Sequence, residues 1–295
     1  MRKISRCAVG AVAGPLLLLS GCRFTTRKLP VPKAPSIVKT ATADDLVKQL
    51  NDRWGALGSM YATVEIQAST AKAGEGLEKD YTTFPGIIMM RKPEMLRVYG
   101  RVPVIGTRMF DMISDGKNFT LFIPSRNIAY QGPNMLDKKS TNTVENMRPG
   151  FFFDAMIVRG LNPDDYYSVT ADTETIEDAA KKHLFIVPEY VLSVTRHNPG
   201  SHSDTPVRVV TFHREDLLPY QQDLYDEAGN LETQVSYESY QDFGGNKYPS
   251  TVTIKRPMEG FQIVMKVEKV VDNMPLTDDQ FQIKLPEGTK IQNLQ

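Results

Sequence analysis

The feature that constrains this chain most is a period of two. Tyr61 to Ser69 sets Ala62, Val64, Ile66 and Ala68 on one face of an extended segment and Thr63, Glu65, Gln67 and Ser69 on the other. Successive side chains of a strand point to opposite faces, so this alternation specifies a half-buried strand. The pattern continues at Thr82 to Met90, Met95 to Arg101, Thr107 to Ser114 and Asn118 to Pro124, with Asp115-Gly116 as a tight hairpin turn. It returns near Lys182 to Pro188, Tyr190 to His197, Val207 to Arg214, Pro219 to Asp226, Leu231 to Phe243, Tyr248 to Lys255 and Gly260 to Asp272. Gly229-Asn230, Gly244-Gly245 and Glu259-Gly260 supply turns between these runs. So many consecutive antiparallel strands close or curl instead of staying flat, which predicts one mainly β domain over residues 44–295.

Two stretches break the period. Ala43 to Leu57 reads as a helix: Thr42 can cap it, Asp44 and Asp45 sit at its positive end, and Leu46, Leu50, Trp54 and Leu57 recur at helical spacing. Thr141 to Leu161 reads as helical or irregular, and Phe151-Phe152-Phe153 with Met156 and Ile157 suits a short helix, either a lid or a buried element. The strands share one face rich in Phe110, Met112, Phe119, Leu121, Ile123, Val252, Ile254, Phe261, Ile263, Met265 and Val267. Such a face builds either a solid core or an adaptable lipid-binding cavity, because thioethers conform to irregular chains.

The amino terminus has its own logic. Arg2, Lys3 and Arg6 precede an apolar, small-residue run from Cys7 to Leu19, which is the pattern of a signal peptide over residues 1–21. The run is shorter than the roughly 20 residues a membrane span requires. Leu19-Ser20-Gly21-Cys22 resembles the lipobox of bacterial lipoproteins, which implies cleavage before Cys22 and attachment of diacylglycerol to its thiol. Cys7 is then lost and Cys22 modified, so the 274 residues from Cys22 onward can form no disulfide and must be held by an apolar core. Removal of three basic and no acidic residues takes the formal balance from zero to minus three, and no basic domain patch points to nucleic acid. By resemblance to proteobacterial sorting, Arg23 after the lipidated cysteine implies the periplasmic face of the outer membrane. Residues 22–43, with Pro30, Pro32 and Pro35, read as a tether spanning tens of ångströms at about 3.1 Å per residue. Its Arg23, Arg27, Lys28, Lys33 and Lys39 either rest on headgroups or are simply solvated.

Enzyme motifs are missing from the sequence: no G-x-S-x-G, H-E-x-x-H, P-loop or C-x-x-C occurs, and no cofactor or metal is implied. His183, His197, His202 and His213 are scattered, and Asp164-Asp165 and Asp278-Asp279 suit caps or diverging strand positions more than an acid/base pair.

A resemblance of wider extent completes the reading. Leu96 to Gly100, Pro103 to Thr107, Phe110-Asp111-Met112, Asp115-Gly116 and Phe119-Thr120-Leu121 resemble the early strands of the LolA/LolB superfamily of lipoprotein carriers and receptors. Arg214, Pro219, the Asp226 to Asn230 turn, Tyr248-Pro249, and the ending Leu276 to Phe281 with Leu285-Pro286-Glu287-Gly288 agree. The resemblance spans roughly residues 44 to 290 and implies a curled antiparallel sheet forming an unclosed barrel, with helices over its apolar mouth. It further implies a membrane-anchored, receptor-like member with acyl chains or lipoproteins as cargo and a periplasmic carrier as a partner. The implied cavity lining is Val64, Ile66, Phe110, Met112, Phe119, Leu121, Ile123, Ile254, Ile263 and Met265, and the implied membrane-contacting loop carries Val104 and Ile105. Residues 134–178 have no counterpart in the resemblance.

Overall fold

The computed structural model describes residues 38–71, 78–80, 82–134, 149–178 and 183–294. The segment expected to be a signal peptide, Cys22 and nearly all of the expected tether lie outside them, as do residues 141–148.

The first element of the described residues is helix α1 (Ala43–Ala56), whose start is a capping box: Thr42 Oγ1 accepts from Asp45 N, and the Asp45 carboxylate accepts from Thr42 N. The packed part begins slightly before the boundary at residue 44, because Lys39 N donates to Arg214 O at 2.7 Å. Among the described residues, fifteen strands follow in one sheet. The first group is β1 (Ser59–Ala71), β2 (Glu78–Asp80), β3 (Phe84–Arg91), β4 (Met95–Arg101), β5 (Arg108–Ser114), β6 (Asn118–Ile123) and β7 (Ile128–Pro133). After helix α2 (Gly150–Met156) come β8 (Asp165–Asp178), β9 (His183–His197), β10 (Asp204–His213), β11 (Pro219–Tyr225), β12 (Leu231–Asp242), β13 (Lys247–Arg256), β14 (Phe261–Asp272) and β15 (Lys290–Asn293).

Two antiparallel meanders make two wings, β1 and β3 to β7 on one side and β8 to β14 on the other, and pairing of β1 with β14 joins them. The sheet ends in β8 at one edge and β15 at the other, so it curls without closing. In that join Val64 lies opposite Val267 and Ile66 opposite Met265, so the alternation read from the sequence sets apolar pairs on the inner face. β15 is parallel to β7, the one departure from the antiparallel order in the described sheet.

The structure departs from the sequence reading where the alternation is weak. The sequence reading does not include β2, β7, β8 or β15. β15 is exposed along its whole length and β8 nearly so over residues 165–175, and a strand without a buried face carries no period of two. β9 is one strand through Pro188, which falls where β9 runs past the end of β10, an edge position that tolerates a missing N–H.

Both faces of the sheet are used. The inner face packs against α1 and α2 in one large apolar cluster, whereas Ile87 and Met89 of β3 face outward onto Leu276 and Phe281. The C-terminal segment thus crosses the outer face, held by Arg91 Nη1 to Leu276 O at 2.7 Å and Arg97 Nη1 to Gln280 O at 2.8 Å, before it ends as β15. Arg97 also grips Asp111 bidentately at 2.9 and 2.6 Å.

Candidate functional site

The inner face and its two helices form the candidate site. Val64, Ile66, Met112, Phe119, Leu121, Ile254, Ile263 and Met265 are buried there, and Phe110 and Ile123 pack against the same cluster half-buried. All ten residues expected to line a cavity therefore lie in one place, but the space between them is filled. Phe151, Phe152, Phe153 and Met156 of α2 and Leu46, Val47 and Leu50 of α1 are buried in the same cluster.

Each helix is held by polar anchors at its ends and by apolar contact elsewhere. α1 lies along one mouth of the sheet: Tyr167 donates to Asp44 at 2.7 Å, Gln49 Nε2 to Leu217 O at 2.8 Å, and Arg53 Nη2 to Lys247 O at 3.0 Å. These partners lie near the start of β8, in the β10–β11 turn and at the start of β13, so one helix ties together separate strands of the second wing. α2 sits deeper. Phe151 stacks on Phe152 with centroids 4.4 Å apart and tilts onto Phe261 at 5.8 Å, while Phe153 meets Trp54 of α1 edge-on at 6.1 Å.

Gln222, only 1% exposed, donates to Asp154 O at 3.0 Å, and the Tyr248 hydroxyl donates to Met156 O. Burial pushes the Tyr248 and Tyr237 phenols well above their ordinary range, so both stay protonated; Tyr248 donates, and Tyr237 accepts from Gln222 Nε2 at 3.4 Å. Arg159 pairs with Asp154 and with Glu94 at 3.0 Å, and Arg208 Nη2 reaches Gly160 O at 2.8 Å, which fixes the segment after α2. Burial raises the Asp154 carboxyl and the adjacent Arg159 opposes that rise.

Two openings border this packing among the described residues. A gap of about 30 Å³ lies between Leu50, Met156, Tyr237 and Tyr248, room for about one water. A groove of about 330 Å³ opens beside Arg53, Met60, Ile157, Tyr248 and Asp272.

Val104 and Ile105 lie far from this packing, at the tip of the β4–β5 hairpin, 106% and 73% exposed. They do not fold back onto the core. Among residues with chemistry, His197 Nδ1 lies 3.0 Å from Asp204 in an exposed turn, Asp165 pairs with Arg196, and Asp278 pairs with Arg91. Sequence reasoning missed Gln222, Tyr248, Asp154 and Arg159. The one available signal was a glutamine at an inward position of β11, where an apolar residue belongs.

No protein-family model and no curated protein matches the sequence. The fold is similar to that of a solved DUF1329 family protein from Desulfovibrio piger ATCC 29098, with a TM-score of 0.52, 15% identity, and coverage of 81% of this chain and 95% of that one. It is similar as well to a LolA superfamily protein from Nitrosomonas europaea, with a TM-score of 0.50, 16% identity, and coverage of 83% and 99%. The chain has a LolA-like fold: a mainly β, curled and unclosed sheet with helices at its mouth.

Proposed function

We propose that this chain is an envelope lipoprotein, lipidated at Cys22 and held on the periplasmic face of the outer membrane, that receives acyl chains of lipids or lipoproteins on its inner face and assists their insertion. The observation that supports this most is α2. It is seven residues long, has no side-chain N-cap, and places three consecutive phenylalanines among methionine and branched side chains of the sheet. A helix this short is not stable by itself in water and depends on the packing it makes. An acyl chain offers the same apolar contact, at about 0.8 kcal/mol per methylene buried, and so can take the place of the phenylalanines when α2 swings out. The ion pairs of Arg159 and the bond from Gln222 would hold α2 in place until cargo arrives. Val104 and Ile105 would touch the bilayer during transfer.

The nearly complete filling of the inner face favours a second reading, in which the same fold docks an envelope partner and carries no lipid. One experiment separates the two. Lipids extracted from the gently purified chain are identified by mass spectrometry, and a fluorescent acyl probe is titrated into the chain and into Phe152→Ala. The first reading expects bound acyl species, and faster or tighter probe uptake by Phe152→Ala. Absence of both from a folded protein leaves the docking reading.

A further inference from the structure

The two edges of the sheet are built differently. At one, β15 is 4 residues long, lies parallel to β7 and begins with Lys290. Short length and lysine are ordinary ways to blunt an edge whose free N–H and C=O groups would otherwise pair with another chain. β8, at the other edge, uses neither. It is 14 residues long, pairs with β9 at every position without a register shift, and contains no proline, glycine, lysine or arginine. Its far half is barer still. The ladder between β10 and β9 covers only Glu189 to His197, so Thr173 to Asp178 and His183 to Pro188 form a ribbon with no third strand among the described residues. A two-stranded ribbon by itself is marginal in water, and Ile186 within this one is 43% exposed.

Charge on this edge has one sign. Residues directly opposite each other share a face, so Tyr167 across from buried Val194, and Val169 across from buried Leu192, mark the inner side of β8. By alternation Asp172 and Glu174 stand on the outer side. Asp172 lies directly opposite Glu189, a pairing of like charges that disfavours the sheet unless a cation answers it. Glu189 is buried and accepts from the Tyr220 hydroxyl, whereas Asp172 and Glu174 are exposed and make no ion pair among the described residues. The nearby cations are engaged elsewhere: Arg196 pairs with Asp165, and Arg214 donates to Lys39 O.

We propose that the free edge of β8 docks an extended basic segment of a partner protein, which adds to the sheet as its next strand. Alternate lysines or arginines of that segment lie on the outer side against Asp172 and Glu174, and its uncharged side chains lie on the inner side beside Val169 and Thr173. Main-chain bonds along the edge supply affinity, and the carboxylates choose the partner. A second copy of this chain is the wrong occupant, because pairing β8 with β8 gathers acidic side chains with no basic residue among them. The inference concerns the outer edge of the second wing and is independent of whether the inner face takes up acyl chains.

The test titrates the full chain into a short fluorescent peptide of alternating lysine and threonine, read by anisotropy and by hydrogen exchange of the β8 amides. Binding that slows exchange in β8 and fades at high salt is expected. The same peptide N-methylated at every backbone amide keeps its charge but loses its donors, and should not bind; nor should a peptide of alternating glutamate and threonine. Asp172→Lys together with Glu174→Lys should weaken binding of the lysine peptide about tenfold without lowering the melting temperature. No binding, equal binding of the N-methylated peptide, protection confined to strands other than β8, or indifference to the double substitution would overturn the proposal. Slow exchange of the outward β8 amides without peptide would overturn it too, pointing to a second copy if it grows with protein concentration and to the chain's own amino-terminal segment if it does not.

Discussion

At the scale of single residues, several positions are fixed by what lies across from them. Gly100 is one: a Cβ there would stand 2.7 Å from both Phe84 and Phe110, whose rings meet edge-on at 5.9 Å. Glycine is present because two aromatic rings occupy the space a side chain needs, and not because of a turn. Gly100→Ala is expected to cost about 1–3 kcal/mol through overpacking, read as a lower midpoint of urea unfolding with an unchanged slope. A residue swap that left the midpoint where it was would mean the two rings can separate freely. This position was not legible in the sequence, since a glycine within an alternating run announces only that something approaches closely.

At the scale of elements, α1 was the most legible and α2 the least. Thr42, Asp44, Asp45 and the spacing of Leu46, Leu50 and Trp54 announce α1; Thr42 caps it as the sequence suggests, and the reciprocal bond from Asp45 makes a capping box that the sequence reading does not include. Its pH behaviour follows. The Thr42 N–H and hydroxyl hold the Asp45 carboxyl below its ordinary value, so the unfolded chain takes up a proton first as pH falls. The cap's stabilisation is therefore complete above the unfolded value near 4 and disappears as pH drops through the lower folded value. Circular dichroism melts below pH 5 should show this contribution to the acid slope; Asp45→Asn should remove it, and Thr42→Ala, which keeps the backbone N–H, should only reduce it. α2 gave a weaker signal, because three phenylalanines in a row fit a lid and a core helix equally well. Its depth in the sheet depends on Gln222 and Tyr248, which come from β11 and β13, and on Arg159 just beyond its own C-terminal end.

At the scale of the whole molecule, the sheet is held from both faces. The inner face is closed by the helices, and the outer face of β3 by the C-terminal segment through Leu276 and Phe281. Phe281→Ala should lower global stability by about 3–5 kcal/mol and speed hydrogen exchange in β3 and β4. Exchange that rose only in β15 would show that the segment is a loose appendage. The join between β1 and β14 places contacts more than 190 residues apart at the centre of the sheet, so the two wings depend on each other.

The sequence by itself determined the period of two, the turns, the absence of disulfides from the part after Cys22, and α1. These are local properties, set by side-chain alternation and by which residues tolerate a turn. It determined as well which apolar residues share a face, since strand geometry leaves no choice. Tertiary structure decided what that face touches. Whether ten apolar side chains surround a cavity or a plug depends on where α2 goes, and no residue within α2 encodes its destination. The edge strands β8 and β15 escaped the sequence because solvent on both faces erases the period. The β4–β5 hairpin is the mixed case. Val104 and Ile105 stood out as apolar residues at a turn, but only the folded chain shows them bare, with Arg101 and Arg108 gathered around Tyr99 beneath them, because cross-strand neighbours are set by register and a bulge of one residue changes it.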